Sequence, residues 1–213
     1  MVVALINPNS TQAMTDSMVS AARQAAPAIA FEGWTSFNGP PSIQGPEDGV
    51  AATAPLLEVV QKASDNGVEG IIIGCFDDTA LDQAAKIAKC PVIGIGQACY
   101  HYAAMRQWRF SVVTTMQVSV PVLEQNIEQA GLSHALSYVH AANVAVLELE
   151  RDPTAAAIRV LEVAQKAESA DKIDAVILGC GGMVNVTRTI RSTLSVPVLD
   201  PVEMAAKSMR WFI

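Results

Sequence analysis

Two cysteines stand in matching surroundings. Residues 71–78 read IIIGCFDD and residues 176–183 read VILGCGGM, so Cys75 and Cys180 each follow branched apolar residues and a glycine. A free thiol ionises near pH 8.5, and a helix N-terminus favours the thiolate. That range suits proton transfer near neutral pH, where the best acid or base has a matching pKa. Two such thiols on opposite sides of a carbon acid would invert it. One thiolate removes a proton from one face and the other thiol returns one to the opposite face. A lone free cysteine is usually a small buried hydrophobe. That reading is kept for Cys90, which precedes Pro91, and for Cys99, in a helical stretch.

The two positions are not equivalent. A helix is expected to start just after each. Asp77 or Asp78 would cap the one after Cys75, and their negative charge would hold Cys75 protonated. Gly181 and Gly182 follow Cys180 with bare amide N–H groups that suit an anion. Cys180 is therefore expected to be the more thiolate-like.

Elements that position these residues are legible as an alternation. Short Val/Ile-rich runs occur at residues 2–6, 70–73, 92–95, 110–113, 144–149, 175–178 and 196–199. Each is nearly continuous, as in strands covered on both faces. Segments of helical period lie between them, which predicts an α/β fold with parallel sheets flanked by helices. In such sheets ligands bind at the carboxyl ends of the strands. Both cysteines fall there, with Asn7, Asn9, Ser10, Thr114 and Thr115.

The alternation repeats. VEGIIIGC (68–75) aligns with IDAVILGC (173–180), CPVIGIG (90–96) with VPVLDPV (196–202), and ALINPNST (4–11) with SVVTTMQV (111–118). Three blocks in one order predict two similar lobes related by a pseudo-twofold axis, with the active site in the cleft between them. The expected lobes are residues 1–97 and 98–199, with 200–213 packing back on the first. The Gly/Pro/Ser-rich stretch 34–49 is a candidate lid, and Trp34 beside it is a candidate cover for the pocket. Asp200 is expected to cap the last helix.

Composition narrows the function classes. The 213 residues are 51% hydrophobic and 16% charged with net charge -7, a globular composition without a basic patch to track nucleic acid. No apolar run is long enough to span a bilayer, and MVVALINPNS lacks a basic n-region, so a reduced cytoplasmic protein with free thiols is expected. No C-x-x-C spacing occurs and none of the three histidines is placed near a cysteine or another histidine as zinc sites usually require, so no metal site is expected. GIGQAC (94–99) lacks the third glycine of a dinucleotide loop and reads as a tight strand-to-helix turn.

Taken together, LINPNST, GPPSI, IIIGCFDD, FSVVTT and VILGCGGM resemble the hydantoin and allantoin racemase branch of the aspartate/glutamate racemase superfamily. The resemblance spans nearly the whole chain. It implies cofactor-independent racemisation by two cysteines, here Cys75 and Cys180. It also implies a small-molecule substrate lined by Asn7, Ile43, Thr114, Thr115 and the backbone at Phe76 and Gly181, and a homo-oligomer. One departure stands out. Many hydantoin racemases carry Phe-Gly-Asp-Pro-Gly-Leu after the first cysteine, and this chain reads Phe76-Asp77-Asp78-Thr79-Ala80-Leu81.

The expected activity is inversion at C5 of a hydantoin- or allantoin-like ring, whose enolate the amides after each cysteine and the Thr114 and Thr115 hydroxyls would stabilise. An amino-acid substrate would need its carboxylate paired, and neither Arg nor Lys lies in the motifs. Remaining alternatives are an aspartate/glutamate-type racemase, a decarboxylase or cis–trans isomerase of a small acid, and a two-lobed binding protein without catalysis. A decarboxylase needs only one protonating cysteine.

Overall fold

The computed structural model describes all residues, 1–213. The first half runs β1 (Val2–Asn7), α1 (Gln12–Ala25), β2 (Ala30–Thr35), α2 (Pro46–Asp65), β3 (Gly70–Ile73), α3 (Leu81–Ile87), β4 (Val92–Gly94) and α4 (Ile95–Met105). The second runs β5 (Phe110–Thr114), α5 (Val120–Gln129), β6 (Leu136–Ala141), α6 (Glu148–Arg151), α7 (Pro153–Ala170) and β7 (Ala175–Gly179). It ends with a 3-10 turn (Gly181–Asn185), α8 (Thr187–Arg191), β8 (Val198–Leu199) and α9 (Pro201–Ser208).

Eight strands form two four-stranded parallel sheets, ordered β2-β1-β3-β4 and β6-β5-β7-β8. The repeated blocks meet in the same register, with Val3 opposite Gly70 in one sheet and Phe110 opposite Ala175 in the other. In each sheet the chain reverses its direction of travel between the two central strands. That switch point is where a parallel sheet leaves a crevice beyond its carboxyl edge. Cys75 follows β3 and Cys180 follows β7, so each cysteine stands at one of these crevices.

Burial explains why the central strands are continuous apolar runs. In β1, Val3 and Leu5 face a core of 47 buried residues shared by both halves, while Ala4 and Ile6 face a second cluster with Leu56 and Val60 of α2. In β3, Ile72 faces the shared core, and Ile71 and Ile73 face the second cluster. Helix α9 packs against α1 and α4, and α4 also touches β7, so the last helix of each half crosses to the other. Asp200 Oδ1 accepts from the Val202 and Glu203 amides at 3.0 Å, the expected cap of α9.

Three expectations need correction. Residues 144–149 form no strand but a coil leading into α6, and the fourth strand of that sheet is β6. Val144, Val146 and Leu149 are apolar because they pack into the shared core, not because they pair in a ladder. β2 was not anticipated: it is an edge strand that exposes Ala30, Glu32 and Gly33. Trp34 does not cover the pocket; it packs beside α2 against the second cluster.

Close approach makes glycine necessary behind the first cysteine. A Cβ on Gly96 would lie 2.4 Å from the Phe76 carbonyl oxygen and 2.8 Å from Asp78 Oδ2. The Gly96→Ala variant is therefore expected to lose about 1–3 kcal/mol of stability, as overpacked sites do. Urea denaturation checks this, and a loss under about 0.5 kcal/mol would mean that the Phe76 turn yields freely.

Candidate active site

Cys75 and Cys180 line one small cavity between the two sheets, about 20 Å³ in volume. Gly74, Phe76 and Asp77 flank Cys75 in its wall; Gly179 and Gly181 flank Cys180. The ends of β1 and β5 supply Asn9, Thr114 and Thr115, and Met14, Ile43, Ser119 and Val146 close the remainder. Such a volume holds about one water molecule. The larger depressions on the surface, such as the open polar groove between α1, α8 and α9, contain neither of these cysteines.

The glycines beside each cysteine let the strands close around it. A Cβ on Gly74 would lie 3.2 Å from the Ile6 carbonyl oxygen, and one on Gly179 would lie 3.0 Å from Thr114 Cα. A Cβ on Gly181 would lie 3.0 Å from the Gly74 carbonyl oxygen, so this glycine also sets how near the two halves come.

The expected site residues separate into two groups. Ile43, Phe76, Thr114, Thr115 and Gly181 line the cavity, and Asn7 and Gly182 do not. Asn7 is fully buried and internally engaged: its Nδ2 donates to Asn9 Oδ1 at 3.0 Å and Thr15 Oγ1 at 3.1 Å, and its Oδ1 accepts from the Asn9 amide. Asn9 takes its place in the wall, with Nδ2 facing only the Met14 sulfur at 3.4 Å. Sequence spacing puts Asn7 and Asn9 at the same strand end. Their side chains diverge there, and only the fold tells which one faces the cleft. Thr114 Oγ1 donates to the Gly179 carbonyl at 3.0 Å, tying β5 to β7. The amides of Phe76 and Thr115 have no backbone acceptor and remain available as donors.

The paired aspartates do different work from that expected. Asp78 does not cap α3, whose N-cap is Ala80. Its carboxylate reaches across to α4, accepting from the Gly96 amide at 3.0 Å and the Gln97 amide at 2.7 Å. Residues 76–80 form a turn in which Asp78 and Ala80 adopt φ of 49° and 53°. No helix starts immediately after Cys75; α3 begins at Leu81. Asn126 Nδ2 donates to the Asp77 carbonyl at 2.8 Å, which fastens the turn to α5.

The thiols are also not drawn toward neutral pH. Burial pushes the Cys75 thiol well above its ordinary value, and the Asp77 carboxyl adds to the rise. Hydrogen bonds from the Thr79 hydroxyl, at 3.5 Å, and the Asp77 amide oppose it. Burial likewise pushes Cys180 up to about 12, against hydrogen bonds from the Gly182 and Met183 amides. In a crevice this narrow, loss of solvent outweighs the turn dipoles. Burial raises Asp77 to about 7 and Asp78 to about 8. Nowhere are three or more His, Cys, Asp or Glu side chains gathered to hold a metal ion.

Comparison with known proteins agrees with this architecture. The family model described as "Asp/Glu/Hydantoin racemase" matches residues 3–209. A hydantoin racemase of Rhizobium meliloti is 35% identical over 206 residues, covering 95% of this chain and 85% of that protein. The structure of an allantoin racemase from Klebsiella pneumoniae superposes with a TM-score of 0.94 at 34% identity, covering 99% of this chain and 86% of that one. An allantoin racemase from Pseudomonas fluorescens gives 0.92 at 30% identity, with 99% and 92% covered. The chain therefore belongs to the Asp/Glu/hydantoin racemase family, a family of isomerases.

Proposed function

We propose that this racemase inverts C5 of a hydantoin- or allantoin-like ring without a cofactor, using Cys75 and Cys180 as the acid/base pair. The observation that carries the reading is that both thiols, delivered by opposite sheets, line one narrow cavity. The thiolate of one cysteine takes the C5 proton, and the electron pair delocalises onto the adjacent carbonyl oxygen. The amides of Phe76, Thr115 and Gly181 are donors for that enolate oxygen, and such oriented dipoles are most effective where water is excluded. The other thiol then gives its proton to the opposite face of C5. The two cysteines end with their protonation states exchanged, ready for the reverse reaction.

A wall without Lys, Arg or His suits an uncharged ring better than a free amino-acid carboxylate. The resting cavity is too tight for such a ring, so substrate entry requires the cleft to open. Loop residues 36–45 are the natural mover. Ile43 reaches the cavity, and Gln44 Oε1 accepts from the Val146 amide of the other half at 2.8 Å. That bond is already made in the resting cleft, so the Gln44→Ala variant is expected to ease opening and speed substrate entry about three- to tenfold, the worth of one net hydrogen bond. Stopped-flow binding checks this, and an entry rate equal to that of the parent would remove Gln44 from the closure.

Four unpaired cysteines suit a reducing compartment, and we assign the protein to the cytoplasm. Exposed Met105, Trp211 and Phe212 support a homo-oligomer, and the net charge of -7 argues against nucleic acid. No helix is long and apolar enough to cross a membrane.

The test of the activity is exchange of the C5 proton of chiral 5-substituted hydantoins and allantoin in heavy water, followed with optical rotation. The expected result is deuterium incorporation together with loss of rotation. Neither change across the panel would end the racemase reading.

A further inference from the structure

Asp77 is the one ionisable wall residue that the proton-transfer scheme leaves unused. Its backbone carbonyl is held by Asn126, but its carboxyl makes no hydrogen bond or ion pair with any protein group. Asp77 shares the cavity wall with both Cys75 and Cys180. No cation shares the wall with it, while Asn9, Thr115 and Ser119 offer neutral polar groups. Asp77 is partly exposed, so a substrate that seals the cleft would strip water from a carboxyl with no protein partner, which is costly. The missing partner can be supplied by a ligand that carries N–H donors.

We infer that Asp77 is a specificity-determining residue whose carboxyl accepts hydrogen bonds from an N–H-bearing C5 substituent, such as the ureido group of allantoin. The inference rests on the racemase reading above and narrows its substrate class. A ureido group is uncharged, fits a wall without cations, and presents several N–H donors to one carboxyl. An apolar substituent leaves Asp77 buried and unpaired, and an anionic substituent meets it with like charge. Binding sites built to hydrogen-bond a group discriminate strongly against analogues that lack it, because their own polar groups are then left unsatisfied.

The experiment compares kcat/KM of the parent, Asp77→Gly and Asp77→Asn on allantoin, 5-isopropylhydantoin and 5-(carboxymethyl)hydantoin, read by optical rotation. The parent is expected to prefer allantoin. In Asp77→Gly the ratio of allantoin to 5-isopropylhydantoin should fall about 10- to 100-fold, the range of a hydrogen bond to a charged group. Asp77→Asn keeps a carbonyl acceptor and should fall less. Both variants should gain activity on the carboxymethyl substrate, which a folding defect would not produce. Equal losses on all three substrates, or unchanged ratios, would overturn the inference while leaving the racemase reading intact. Absence of racemisation by the parent on every substrate would instead overturn that reading, and the inference with it.

Discussion

Replacing Cys75 by alanine, or Cys180 by alanine, is expected to lower two-way racemisation about 1,000- to 10,000-fold, toward the upper end of what positioned acid–base groups contribute. Equal severity is the informative part. Each thiol acts as the base for one enantiomer and as the acid for the other, so neither direction survives the loss of either cysteine. The two variants should differ in what they retain. Each keeps one thiol facing one side of C5, so each should still exchange the proton of one enantiomer slowly with heavy water, and the enantiomer should be opposite in the two. Proton NMR of each pure enantiomer reads this directly. Both variants keep the strands and glycines that hold the turns, so thermal melting should remain cooperative. Full two-way activity in either variant would eliminate the two-thiol scheme, and exchange of both enantiomers by one variant would mean a single base reaches both faces.

The second large effect is on pH. Between pH 7 and pH 9, kcat/KM should rise, approaching about tenfold per unit once Asp77, itself raised to about 7, is ionised, because it reports the free protein's groups. The direction follows from the site. Only a thiolate abstracts the proton, and its fraction grows tenfold per unit below the thiol pKa. Burial and the Asp77 carboxyl hold Cys75 well above its ordinary value and Cys180 at about 12, so both lie beyond that window. A plateau at pH 7 would mean that the turn amides outweigh burial in solution. The Asp77→Asn variant removes a negative charge that raises both thiols, and its rising limb should move to lower pH. The other ionisable groups around the thiols, Asp78, Tyr100 and Glu150, remain in that variant.

Central strands were legible in the sequence because both faces are buried. β1, β3, β5 and β7 read as nearly continuous apolar runs, and their repetition pointed to two similar lobes, whose sheets pair in matching register. Of the four edge strands, β4 and β8 were legible too, but β2 and β6 were not. β2 and β6 pair on one side only, and the polar residues Glu32 and Ser137 interrupt any run. The segment 144–149, a coil that enters α6, resembles a strand because Val146 packs at the cavity and Leu149 in the core. Within the site, the chemistry-bearing cysteines were visible from their matching frames. The direction of Asn9, the reach of Asp78 to α4, and the reversal of the thiol shift depend on contacts between segments far apart in the chain.

The dissimilar settings of the two thiols have a thermodynamic consequence. Cys75 has one amide and the Thr79 hydroxyl, and Cys180 has two amides. Mirror-image substrates have identical free energies in water, so their equilibrium constant is one whatever the protein does. The Haldane relation then forces kcat/KM to be equal in the two directions. Asymmetry of the thiols can appear only as kcat and KM values that differ by the same factor: the enantiomer held more tightly must turn over more slowly.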